Sequence, residues 1–211
     1  MARIVSTLFI ALDGVAEIDE SWHFPYFDEN MGRAVNHDYD GVDVLLLGRV
    51  TYDSFADAWP EREAAGEDDA AFAKWLGDVR KIVVSRQPIE FTWRNSELLD
   101  GDLVETVTAL KANPDVGRIL IPGSISIVQQ LLAVGLVDEL SLLVHPVAAR
   151  KGRRLFDDGE NTPYHLNLIR SEVFPTGVVW LTYSPKAKPG EVGYEDIKGL
   201  VPDPPETPTS S

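Results

Sequence analysis

The sequence predicts an α/β fold: a three-layer sandwich with a mostly parallel central sheet that ends in an antiparallel C-terminal hairpin. Three features carry that prediction. Short apolar runs of strand length alternate with segments of helical periodicity. Several of these runs stop at turns containing Gly, Ser or Asp that open the next helix, as parallel strands feeding crossover helices do. Finally, Leu166 to Phe174 and Val178 to Tyr183 flank Pro175-Thr176-Gly177, the pattern of a hairpin at a sheet edge.

Taken in order, Arg3 to Leu12 mixes β-branched and apolar residues and stops at Asp13-Gly14, which marks a central strand buried on both faces. Val15 to Pro25 has no clear period, yet it carries Trp22, His23 and Phe24, the composition of a loop that closes over something. Asp28 to Asp38 reads as a helix with Met31, Ala34 and Val35 on one stripe. Val42 to Leu47 is the second strand and Thr51 to Trp59 the helix it feeds, with Pro60 next. Glu61 to Asp69 and Ala70 to Leu76 read as a surface helix or ordered loop that covers little.

Arg80 to Val84 is a third strand ending at Ser85-Arg86-Gln87-Pro88, and a short strand is expected at Ser96 to Leu99. Asp102 to Asn113 opens on an Asp N-cap with Glu105 three residues on, as in a capping box, and stops before Pro114. Arg118 to Ile121 is a strand that runs through Pro122-Gly123-Ser124 into a helix from Ile125 to Val134, closed by Gly135. Asp138 to Pro146 is a further strand, and residues 147–164 read as loop. Residues 1–185 are expected to form one domain, followed by an extended or disordered Pro-rich tail over 186–211.

At 211 residues and 44% apolar content, the chain can bury one good core. A net charge of −15 opposes binding to nucleic-acid phosphates or anionic lipid. No apolar segment approaches the roughly 20 residues of a membrane-spanning helix. The absence of Cys excludes disulfides, thiolate metal sites and cysteine nucleophiles, and is compatible with a cytoplasmic protein. His145 before Pro146 reads as structural, and no pair among the histidines shows metal-ligand spacing.

The turns carry the functional signal. DVLLLGRVTYDSF, residues 43–55, delivers a buried strand into a helix start, where free amides and the helix dipole favour a phosphate. Gly48 permits close backbone approach, and Arg49 adds a planar donor fork. The alternative is a tight turn in which Arg49 pairs with a neighbouring Asp. Gly123-Ser124 is a second such start, or merely an N-cap. Ser85-Arg86 at a strand end suits a ribose 2′-phosphate, which points to NADPH over NADH; a strand exit with a solvated charge is the plainer reading. The G-x-G-x-x-G fingerprint is absent.

In this order, GRVTYDSF, KIVVSRQP, LIPGSISIVQQLLAVGLVDELSLLVHP and GRRLF resemble the dihydrofolate-reductase-like superfamily. The resemblance is greatest to the C-terminal reductase domain of the bifunctional deaminase-reductase of riboflavin biosynthesis and its stand-alone relatives, and it runs from about Arg3 to Tyr183. It implies bound NADPH, a reductase activity and a homodimer. By position, Gly48, Arg49 and Thr51 would hold cofactor phosphates, Ser85 and Arg86 the 2′-phosphate, and Gly123 and Ser124 a second phosphate turn. Ala11, Asp13 and Gly14 would lie under the nicotinamide. Pro122 stands where the family usually has a second glycine, so residue 122 cannot donate an amide.

The resemblance also suggests roles on the substrate side. Trp22 and Phe24 belong to a lid-like motif, and Asp28 or Glu29 would be the carboxylate that assists protonation, held protonated near neutral pH if buried against an apolar lid. The plainer reading of both is as first-turn acids of a helix. Arg150 and Arg153 belong to the only dense basic run and would meet a substrate phosphate, the alternative being a solvated loop. The expected activity is NADPH-dependent hydride transfer to a small heterocyclic or sugar-derived substrate. Dihydrofolate reduction and noncatalytic NADPH binding are the alternatives.

Overall fold

A computed structural model describes residues 1–157, 159 and 163–185, so the expected tail lies outside the described residues. The strands are β1 (Arg3–Ala11), β2 (Val44–Gly48), β3 (Arg80–Val84), β4 (Ser96–Leu98), β5 (Arg118–Pro122), β6 (Glu139–His145), β7 (Leu166–Val173) and β8 (Val179–Pro185). They form one sheet in the order β4-β3-β2-β5-β1-β6-β8-β7. β1 lies between β5 and β6 and is parallel to both, whereas β8 runs antiparallel to β6 and β7. The predicted fold class is therefore what the chain adopts.

Helices α1 (Glu20–His23), α2 (Glu29–Tyr39), α3 (Arg49–Ala65), α4 (Ala70–Asp78), α5 (Leu103–Ala112) and α6 (Ile125–Ala133) cover the sheet. Alternation along β1 decides which residue meets which layer. Ile4, Leu8 and Ile10 pack with Val107 of α5 and Val128 and Leu131 of α6. Val5 turns the other way, into a cluster with Tyr39, Tyr52 and Leu76. Near the hairpin, Met31 and Ala34 of α2 pack with Leu143 and Trp180.

Three local expectations need correction. Helix α3 does not end before Pro60 but runs on to Ala65 and closes at Gly66, whose φ of 70° suits glycine. Proline costs the helix one backbone bond, and packing holds the helix through it: the Trp59 ring meets Phe55 at 6.2 Å and Phe72 at 5.4 Å. Helix α4 is not a covering of little consequence, because Ala73 and Leu76 are fully buried and Phe72 and Trp75 pack on Tyr39. The segment expected to be loop between Val15 and Pro25 contains α1, capped by Asp19, followed by a short 3₁₀ turn at Phe24–Tyr26.

Two buried polar groups are settled by long-range contacts. Lys81 in β3 is fully buried, and its ammonium donates to the carbonyls of Leu76, Gly77 and Val79 at the end of α4. Those three acceptors match its three donors. Asp38 in α2 accepts the hydroxyls of Thr7 and Ser141 at 2.7 Å each, and Ser141 in turn accepts the Trp180 indole N–H. A polar chain thus ties α2 to β1, β6 and β8.

Candidate functional site

All six parallel strands β1 to β6 point their carboxyl ends to one side, where ligands of open α/β sheets bind. The turns after β2 and β5 meet there. Ser124 Oγ accepts the amide of Gly48 at 2.9 Å and lies 3.1 Å from Thr51 Oγ1. Gly123 and Ser124 both have positive φ, 61° and 52°, and for Ser124 that is a strained conformation of the kind found at functional turns. The side chain that might have capped α6 is directed to α3 instead. Neither α3 nor α6 has a side-chain cap, whereas Asp19, Asp28 and Asp102 cap α1, α2 and α5. Two uncapped helix starts therefore lie side by side.

At the end of β3, Ser85 Oγ donates to the Gln87 carbonyl and accepts the Gln87 amide, which fixes the turn. Arg86 beside it is exposed and has no hydrogen bond or ion pair among the described residues. Arg49 is occupied: its Nε donates to both Asp53 oxygens at 2.8 and 2.7 Å, the simple alternative raised by the sequence. Its Nη1 also reaches the Pro88 carbonyl, so Arg49 links the start of α3 to the turn after β3.

The turn after β1 is a clamp. Gly14, with φ of 82°, lets the chain reverse, and Ala11 and Val15 close the turn with a 2.8 Å backbone bond. The Asp13 carboxylate accepts the amides of Arg150 at 2.7 Å and Ala149 at 3.2 Å, while Arg154 Nε donates to the Asp13 carbonyl. The Arg150 amide, foremost, holds the Asp13 carboxyl below its ordinary range. Arg150 itself has φ of 64°, and the side chains of Arg150 and Arg153 make no hydrogen bond or ion pair among the described residues. The basic run is thus pinned by its backbone, with two guanidinium groups left over.

The aromatic segment from Trp22 to Phe27 forms the neighbouring wall. Trp22 is buried, Phe24 and Phe27 are exposed, and within this wall lies an arrangement that the sequence reading missed. His145 ends β6, in register with Ala11 of β1, and its Nδ1 is 2.9 Å from the Leu143 carbonyl. Its Nε2 is 3.2 Å from Nδ1 of His23. Phe9, Trp22, Tyr26 and Phe27 ring the pair. Burial pushes His23 down to about 4, with His145 adding to it, and burial lowers His145 as well. The two residues lie 122 positions apart, so no spacing rule could have joined them.

The expected acid does not have the surroundings that role requires. Asp28 is the N-cap of α2, accepting the Met31 amide at 2.9 Å and the Asn30 side chain at 3.1 Å, and these bonds lower its pKa. That is the direction opposite to a carboxyl holding a proton near neutral pH. Glu29 is exposed in the first helical turn.

The family described as RibD C-terminal domain matches residues 2–180. The chain belongs to that family. YyaP of Bacillus subtilis strain 168, an uncharacterized protein, is 29% identical over 185 residues, which is 86% of this chain and 94% of YyaP. A crystal structure from Shewanella sp. PV-4, described as a candidate riboflavin biosynthesis protein, superposes with a TM-score of 0.64 at 23% identity over 89% of this chain and 100% of the other. A pyrimidine reductase-like protein from Corynebacterium diphtheriae gives a TM-score of 0.61 at 14% identity, covering 89% and 93%. At these identities the two structures speak for a shared fold, the dihydrofolate-reductase-like arrangement of this family.

Proposed function

We propose that this protein is an NADPH-dependent reductase acting on a small heterocyclic or sugar-derived substrate of the riboflavin-pathway type, such as 5-amino-6-(5-phosphoribosylamino)uracil. The observation that carries the reading is the pair of uncapped helix starts joined through Ser124, with Arg86, which has no partner among the described residues, at the end of β3. Their donors suit a diphosphate and an added phosphate. NADPH bound there would supply the hydride. The chain's residues would do the rest: Gly48, Thr51, Gly123 and Ser124 bind phosphate, Ser85 and Arg86 grip the 2′-phosphate, and Ala11 and Gly14 bed the nicotinamide.

On the substrate side, Trp22 and Phe24 would flank a planar group, and Arg150 and Arg153 would receive its phosphate. Fixing both partners in one cleft and excluding water is the main catalytic contribution such a site can make. We also place the protein in the cytoplasm as a homodimer. The exposed edge strand β7, with Leu168, Ile169 and Val173 on its surface, offers a second copy something to cover, and light scattering tests this.

Titration with NADPH followed by the five tryptophans tests the reading. Micromolar binding and oxidation of NADPH by the phosphoribosylaminouracil are expected. Binding without turnover on a broad substrate panel would favour a noncatalytic NADPH-binding protein, and turnover of dihydrofolate alone would favour dihydrofolate reduction. No binding by a chain with native circular dichroism would overturn the proposal.

A further inference from the structure

The histidine pair has a defined hydrogen-bond direction. The Leu143 carbonyl can only accept, so His145 Nδ1 must carry the proton in the 2.9 Å contact. In a neutral ring this leaves His145 Nε2 as an acceptor, and the 3.2 Å contact then requires the proton of His23 on Nδ1. Burial disfavours the charged form of both rings, pushing His23 down to about 4 and lowering His145. The remaining nitrogen, His23 Nε2, therefore holds a lone pair. It has no partner among the described residues, and it is not one of the buried side-chain atoms left unpaired, so this edge of a residue that is only 4% exposed reaches solvent.

That edge is bordered by Phe24 and Phe27, whose rings lie 5.5 and 5.7 Å from His23 and are themselves exposed. It lies beside the end of β1, since His145 is in register with Ala11. We propose that His145 fixes the tautomer of His23 so that His23 offers an unprotonated Nε2 to the cleft and selects substrates bearing an N–H or O–H donor at that point. The inference rests on the reductase reading of the same cleft. His145, which touches no ligand in this scheme, is a positioning residue.

A wall of apolar rings would bind any planar molecule. One acceptor among them discriminates, because a ligand without the donor leaves the nitrogen desolvated and unpaired. The ligands favoured are planar molecules that present a ring or exocyclic N–H at that edge. An N-alkylated ring or a hydrocarbon face is disfavoured.

The test uses the full chain, labelled with nitrogen-15, and two probes: 5,6-diaminouracil and its 1,3-dimethyl derivative. Long-range proton–nitrogen correlations are expected to show His23 with its proton on Nδ1 and His145 with its proton on Nδ1. The diaminouracil should shift His23 Nε2 and bind about tenfold or more tightly than the dimethyl compound, a preference that His23→Phe removes. In His145→Phe, His23 should become a mixture of tautomers, while the wild-type spectrum alone decides the assignment if that variant fails to fold. A protonated His23 Nε2, equal binding of the two probes, or no shift of His23 with either would overturn the inference. The two proposals fail separately: NADPH turnover with equal probe binding refutes the histidine device alone, and absent NADPH binding with the expected tautomers refutes the reductase alone.

Discussion

Ser124 Oγ accepts the amide hydrogen of Gly48 at 2.9 Å, so one hydroxyl holds together the starts of α3 and α6. Replacing it separates two effects. Ser124→Ala should cost about 1–2 kcal/mol, since it leaves the Gly48 amide unpaired while the backbone strain at a φ of 52° is unchanged. Ser124→Gly loses the same bond but relieves the strained backbone, so it should be less destabilised in urea. Both should weaken NADPH about tenfold by calorimetry.

Arg86, at the end of β3, has no partner among the described residues. Arg86→Ala should weaken NADPH by one to two orders of magnitude, the order of a charge-assisted contact, and leave NADH nearly unchanged. Equal losses for the two cofactors would contradict a 2′-phosphate role. Arg49→Ala should act on both alike, because Arg49 is already held by Asp53.

Lys81 caps the carboxyl end of α4 from within the sheet, 4.3 Å above the Trp93 ring. Lys81→Met keeps the apolar stem and removes the three donors. Leaving buried carbonyls unpaired should cost about 2–3 kcal/mol, read as a lower urea midpoint, with NADPH binding intact in the folded protein.

Acid should weaken the fold before its carboxylates protonate. His23 has a folded pKa of about 4 against 6.5 when unfolded. Between those values the unfolded chain binds a proton that the folded chain does not, so stability falls as pH falls through that window and is fully present above it. The loss attributable to His23 should be on the order of 2 kcal/mol from pH 7 to pH 4.5. His23→Phe should flatten that slope in urea unfolding; an unchanged slope would show that His23 is not the group responsible.

Much of this protein was legible in its sequence where short-range rules apply. β3 was placed with its observed ends, and the Asp102 cap of α5 with its stop before Pro114, because a strand's apolar run and a cap's side chain act within a few residues. Arg49 and Asp53 are four apart on a helix, so their pairing too was among the sequence's alternatives. The meeting of Gly48 with Ser124 is only partly legible: the chemistry of each turn is local, but their contact depends on β5 lying next to β2.

The sequence by itself determined the alternation of strands and helices, the terminal hairpin and the chemistry of the turns, since these follow from periodicity and from backbone preferences of single residues. Only the tertiary structure decided that α3 continues through Pro60, that Lys81 is buried as a cap, that Asp28 is a hydrogen-bonded N-cap, and that His145 meets His23. Each of those outcomes depends on which distant segments the parallel register and the packed helix layers bring within hydrogen-bond distance. No local pattern carries that information.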